Sequence, residues 1–112
     1  MKYAVPVIGG QMCPHFGHCE QFALIDVDEK SKEIIKEELI PAPVHEPGLL
    51  PTWLSDKGVK VVIAGGMGMN AQNLFLQKGV TVITGAMEAD PEKAVLNHLN
   101  GSLATGSNAC DH

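Results

Sequence analysis

Apolar residues fall in short blocks along this chain, and the polar, glycine and proline positions between them punctuate a set of elements. Tyr3-Ala4-Val5-Pro6-Val7-Ile8 is a nearly unbroken apolar run that stops at Gly9-Gly10, which predicts a first strand. Pro6 counts against a fully paired central position, because proline has no N–H to give to a ladder. Phe22 to Val27 is a second apolar run, and the turn-forming "DVDEKSK" after it makes a hairpin to the next segment plausible. That segment, Lys32 to Ile40 ("KEIIKEELI"), is ambiguous. Ile35 and Leu39 stand at helical spacing with charged residues between them, so periodicity slightly favours a helix, whereas the isoleucine content and short length also suit a strand.

The second half reads more cleanly. Leu50, Trp53 and Leu54 make the apolar face of a helix with Pro51 in its first turn and Gly58 as its stop. "VKVVIA" is a continuous apolar run, as expected of a parallel strand buried on both faces. Asn70 to Lys78 follows as a helix ended by Gly79, with Leu74 and Phe75 as core candidates, and "VTVIT" is another buried strand. Asp90 then caps a helix that has Pro91 at its first position, Val95 and Leu99 on one face and Gly101 as its stop. Helix and strand alternating in this way require right-handed crossovers and a parallel sheet, so the chain is α/β with an antiparallel front end.

Composition narrows the function classes. At 112 residues the chain is one domain, residues 1–112, with 101–112 as a C-terminal tail, and it is large enough to build an apolar core. Hydrophobic residues make up 45% and the formal net charge is -5, with lysines scattered and no basic stripe, which argues against nucleic acid and anionic membranes as partners. No apolar stretch is long enough for a membrane span, and the N-terminal run lacks the length and cleavage site of a signal peptide. The expected compartment is the cytoplasm, where thiols stay reduced, and three cysteines, an odd number, do not make a disulfide framework.

The chemistry therefore concentrates on cysteine and histidine. "QMCPHFGHCEQF" holds Cys13, His15, His18 and Cys19 between the first two strands, and thiolate with imidazole suits zinc, iron or copper rather than magnesium or calcium. The spacing matches no closed structural zinc site, and a loop with a buried thiol and solvated histidines would look the same. His45 in "PAPVHEPG" and the terminal "NACDH", with Cys110 and His112, change the weighting, because all three cysteines lie within three residues of a histidine. One mixed site drawing on Cys13, His15, His18, Cys19, His45, Cys110 and His112 accounts for this.

Topology brings these segments together. If the first strand runs up, the loop from Gly9 to Cys19 lies at the upper edge, and a third strand at Lys32 to Ile40 would deliver His45 there. The turns at Gly65 to Met69 and Gly85 to Asp90 follow the parallel strands at that same edge, where open α/β sheets bind ligands. The last helix ends at the opposite edge, so Cys110 and His112 reach the site only if the tail crosses back, for which about ten extended residues suffice; otherwise they could reach a neighbouring subunit. Gly66-x-Gly68-x-x-Ala71 with Glu88 downstream also approximates a dinucleotide fingerprint, but on a late strand; a plainer use of the turn is backbone N–H contact with an anion.

"MKYAVPV", "HFGHCEQFALIDV", "GVKVVIAGGMGMNAQNLFLQKGVTVITGA" and "LNGSLATGSNACDH" together resemble the dinitrogenase iron–molybdenum cofactor biosynthesis proteins. The resemblance implies a ribonuclease H-like fold, a three-layer α/β/α arrangement with a mixed five-stranded sheet whose first three strands are antiparallel, so that Lys32 to Ile40 becomes a strand. It implies binding of an iron–sulfur or iron–molybdenum cluster precursor and its transfer between donor and acceptor proteins, without catalysis. By match to the His-Phe-Gly motif, His15 is the residue expected to contact the cluster, with Gly66, Met67 and Gly68 beside it. A single zinc or iron ion is the other cofactor expectation, and a homo-oligomer is left open. The alternative readings are an anion- or nucleotide-binding regulatory domain using the Gly65 to Met69 turn, and a partner-binding module whose cysteines only fill space.

Overall fold

The computed structural model describes residues 1–16, 19–43 and 49–106. Among the described residues nine elements follow one another: β1 (Lys2–Ile8), β2 (Gln11–Met12), β3 (Gln21–Asp28), β4 (Glu33–Pro41), α1 (Leu49–Asp56), β5 (Val59–Ile63), α2 (Met69–Gln77), β6 (Thr81–Ile83) and α3 (Pro91–Leu99). They form a mixed sheet of order β4-β3-β1-β5-β6, with β2 folded back on the end of β1. β1 is antiparallel to β2 and β3, β3 is antiparallel to β4, and β5 is parallel to both β1 and β6. The sheet thus has six strands rather than five, the extra one being the two-residue β2.

The segment read as Lys32 to Ile40 is a strand and not a helix, running Glu33–Pro41 with Lys32 in the turn before it. Asp28 explains the hairpin, since its carboxylate accepts from the N–H groups of Lys30 (2.8 Å) and Ser31 (3.2 Å), turning the chain straight back along β3. The helical spacing of Ile35 and Leu39 carries no packing face: both are largely exposed, at 67% and 52%.

Alternation sorts the core onto two faces. Ala4, Phe22, Leu24 and Val62 face α1 and α2, whose Leu50, Leu54 and Phe75 complete one cluster. Tyr3, Val5, Val7, Ala23 and Ile25 face α3, which contributes Ala94 and Val95. Tyr3 also shares a 2.7 Å hydrogen bond between its hydroxyl and His98 Nδ1, tying the last turn of α3 to the central strand. Pro6 does sit in that central strand. Its parallel ladder with β5 ends at Ala4, so the missing N–H falls beyond the pairing, and the Pro6 carbonyl instead accepts from Cys13 N–H at 2.8 Å. Among the described residues no helix is long and apolar enough to cross a membrane.

Candidate functional site

Because β1 and β5 part company after Ala4, the carboxyl edge of the sheet has room for loops, and backbone bonds lace them together. Met12 N–H donates to the Ala89 carbonyl (2.7 Å), Phe16 N–H to the Gly66 carbonyl (2.9 Å) and Gly85 N–H to the Gly65 carbonyl (2.8 Å). His15 bridges to Gly66 in parallel fashion. Phe16 anchors this loop in the α1/α2 core, with ring centroids 5.6 Å from Phe22 and 5.5 Å from Phe75.

The chain after α3 returns to this edge as far as Gly106. After α3 the chain runs up the sheet's side, where Met87 N–H donates to the Ala104 carbonyl (3.1 Å) and Gly106 N–H to the Gly85 carbonyl (2.7 Å). Ala86 and Thr105 form an antiparallel bridge there. Gly85 has φ of +73°, and a Cβ on it would collide with the Gly106 carbonyl oxygen. Gly65 is less tightly placed, since a Cβ there would press on the Pro14 carbonyl oxygen at 3.1 Å. Two glycines thus allow three backbones to close together.

Between them lies an open cavity of about 350 Å³, lined by Met12, Cys13 and Pro14 from the first loop, by Gly65, by residues 85–89, and by Gly106. Cys13 is buried, and its Sγ–H donates to the His15 carbonyl at 3.2 Å. The wall thus includes three sulfur-bearing residues, Met12, Cys13 and Met87, with Glu88 its one carboxylate. A second hollow, of about 540 Å³, adjoins it through Glu88 and Ala89 and adds Glu37, Asp90 and Glu92. There a hydrogen bond to Glu92, burial and neighbouring negative charge push the Glu37 carboxyl up to about 7.

The expected site residues divide. Cys13 lines the cavity and His15 lies beside it, exposed, on the same loop. Cys19 is half-buried against the α1/α2 cluster instead, and desolvation together with the nearby Cys13 pushes its thiol up to about 12. Gly66, Met67 and Gly68 do not line the cavity: Gly66 is buried, Met67 fills the core and Gly68 is the N-cap of α2, so the cavity takes Gly65 from this turn. His18, His45, Cys110 and His112 lie outside the described residues. Among the described residues, no three histidine, cysteine or acidic side chains are grouped to hold a metal ion. Sequence reasoning missed Met12, Pro14 and Gly106 as walls of the site. Their contribution is shape and backbone, and the one readable signal was Pro6, which marks where β1 releases its parallel partner.

Fold and site together define an α/β domain with an open cavity at the carboxyl edge of its sheet, whose wall includes Cys13, two methionines and Gly106. The chain belongs to the dinitrogenase iron–molybdenum cofactor family, whose sequence profile matches residues 1–101. An uncharacterized protein of Methanocaldococcus jannaschii is 34% identical over 86 residues, which span 73% of this chain and 72% of that one. The crystal structure of PH0822 superposes with a TM-score of 0.85 at 26% identity, over 94% of each chain. The apo form of the orange protein from Desulfovibrio gigas shares the fold, with a TM-score of 0.71 at 22% identity over 96% of this chain and 93% of that one.

Proposed function

We propose that this protein is a non-catalytic carrier that seats an iron–sulfur or iron–molybdenum cluster precursor, as cargo, in the cavity at the carboxyl edge and passes it from a donor to an acceptor protein. The observation that carries the reading is Cys13, a buried cysteine in the wall of a cavity that Met12, Met87 and three glycines also line. Soft sulfur donors suit iron and molybdenum clusters and not hard cations. Family membership supports the same cargo class. A carrier also needs an incomplete ligand set, because a closed cage would not release its cargo. Cys13 and His15 supply that, with Cys110 following Gly106 by four residues in sequence. The leading antiparallel strands, the parallel β5 and β6 and the helices on both faces support a ribonuclease H-like assignment, and the setting we read for such a carrier is the cytoplasm.

The Gly65 to Met69 turn supports an anion or nucleotide less well. Its Met67 side chain is spent on the core, α2 has no basic residue in its sequence, and Glu88 stands at the neighbouring cavity. Anaerobic purification followed by elemental analysis for iron, molybdenum and zinc separates the readings. The carrier reading expects iron, with or without molybdenum, bound at near-stoichiometric level and lost on exposure to a chelator. Metal-free protein that is instead stabilised thermally by nucleotides would overturn it, since a ligand selective for the folded state raises the melting point.

A further inference from the structure

The cavity and the hollow beside it share Glu88 and Ala89, so together they make one concave face. Apolar side chains stand open on this face: Met87, exposed at 71%, lines the cavity, and Leu39, at 52%, lines the hollow. Ile8, at 43%, ends β1 next to Val7, another lining residue. Exposed apolar side chains gathered around a concavity and rimmed by polar groups mark a surface that another molecule covers.

Charge decides what covers it. Among the described residues, every charged side chain lining the two hollows is a carboxylate: Glu37, Glu88, Asp90 and Glu92. The lysines are elsewhere. Lys2 and Lys60 lie at the amino ends of β1 and β5, Lys30 and Lys32 in the turn between β3 and β4, and Lys57 and Lys78 after α1 and α2. All six therefore stand at the opposite edge of the sheet. Lys36 alternates with Glu37 onto the other face of β4, which leaves Lys93 of α3 as the one lysine on this side. Two of the carboxyls are also crowded, since Glu37 and Glu92 hydrogen-bond through their side chains. A cation brought against them relieves that crowding.

We propose that this concave face is the docking surface for a partner protein that presents lysine or arginine among apolar side chains. That partner is the donor or acceptor of the carrier reading, on which this inference rests. A long basic side chain fits the hollow in both its parts: the apolar stem lies along Leu39, and the charged head meets Glu37, Glu88 and Glu92. Met87 and Ile8 supply apolar contact beside it. A partner seated there lies over the open cavity that has Cys13 in its wall. The separation of charge between the two sheet edges also orients the approach, carboxyl edge first.

Fluorescence anisotropy on the full chain tests this with short fluorescein-labelled peptides in which leucine alternates with arginine, glutamine or glutamate. The arginine peptide is expected to bind about tenfold or more tighter than the other two, and to weaken as salt is raised. Glu88→Gln with Glu92→Gln should weaken it about tenfold or more, and Leu39→Gln with Met87→Gln about threefold or more. Glu29→Gln with Asp56→Asn removes the same charge at the opposite edge and should change affinity by less than about twofold. Far-ultraviolet circular dichroism verifies the fold of each pair. No binding, equal binding of the three peptides, or equal loss from the two carboxylate pairs overturns the proposal. So does a wild type that self-associates in sedimentation velocity and ceases to do so in the Glu88→Gln, Glu92→Gln pair, because the occupant is then a second copy. Iron loading of the same preparations separates this from the carrier reading. Loading without arginine-peptide binding overturns the docking surface alone, whereas peptide binding by a protein that takes up no iron overturns the carrier reading and keeps the basic partner.

Discussion

Cys13 and Cys19 sit six residues apart, yet their surroundings give them different chemistry. Cys13 ends the stretch that Pro6 accepts as a hydrogen-bond partner, and its thiol is held over the His15 carbonyl within the cavity wall. Cys19 packs against the core, and burial plus the adjacent Cys13 push its thiol up to about 12. The thiolate is the reactive form, so Cys19 should stay unmodified by iodoacetamide in native protein at pH 8 and react only on unfolding, which peptide mass spectrometry will read. Rapid native alkylation of Cys19 would contradict this environment. Gly85 makes a second residue-scale test. Gly85→Ala combines a left-handed backbone with a collision against the Gly106 carbonyl oxygen. It should cost about 1–3 kcal/mol, lower the melting temperature, and expose the segment after Gly101 to limited proteolysis before the rest of the chain. An unchanged proteolysis pattern would mean that the tail is not held by that contact.

Elements differ in how openly the sequence declares them. α1, α2 and α3 are bracketed by residues whose chemistry marks ends, such as Pro51, Gly58, Gly79, Asp90-Pro91 and Gly101, and β5 is a plain buried run. β4 was not readable by periodicity, because an edge strand with both faces mostly in water has no apolar alternation to display. Only its hairpin turn and the family resemblance marked it. Asp90 accepts from the N–H groups of Glu92 (3.0 Å) and Lys93 (3.4 Å), so Asp90→Ala should destabilise the protein by about 0.5–2 kcal/mol. Thermal unfolding will measure it, and no loss would show the cap to be redundant. The contact between β4 and α3 gives a pH signature. Glu37 holds its proton up to about 7 in the folded state, above the ordinary carboxylate value of 4.5. Its contribution is therefore fully present below pH 4.5 and is lost as pH rises through about 7. Glu37→Gln, which keeps a donor for Glu92, should flatten the fall in melting temperature across that window and leave the variant the more stable above it. A slope that persists in the variant would assign the pH dependence to other groups.

At the scale of the whole molecule, the carboxyl edge of the sheet was legible as the place where loops converge. The cavity itself was not legible. Its walls are backbone at Gly65, Gly85 and Gly106 and the side chains of Met12 and Pro14, none of which advertises ligand chemistry in a sequence. Of the turn that the sequence marks by its glycines, Gly65 lines the cavity while the Met67 side chain packs in the core. The return of the tail as far as Gly106 follows from no periodicity; it needs the fit between Gly85 and Gly106 to be seen in space. With residues 101–106 in place along the cavity, the proposal reduces to one claim, that Cys13 binds a metal–sulfur cargo. Cys13→Ser is a conservative probe, since a serine hydroxyl can still donate to the His15 carbonyl. Wild type and Cys13→Ser should be reconstituted anaerobically side by side with ferrous iron and sulfide, with and without molybdate, then desalted and analysed for metal per chain. The account predicts near-stoichiometric loading of the wild type and at least a tenfold lower content in the variant. Equal loading of the two proteins, or none in either, would contradict it.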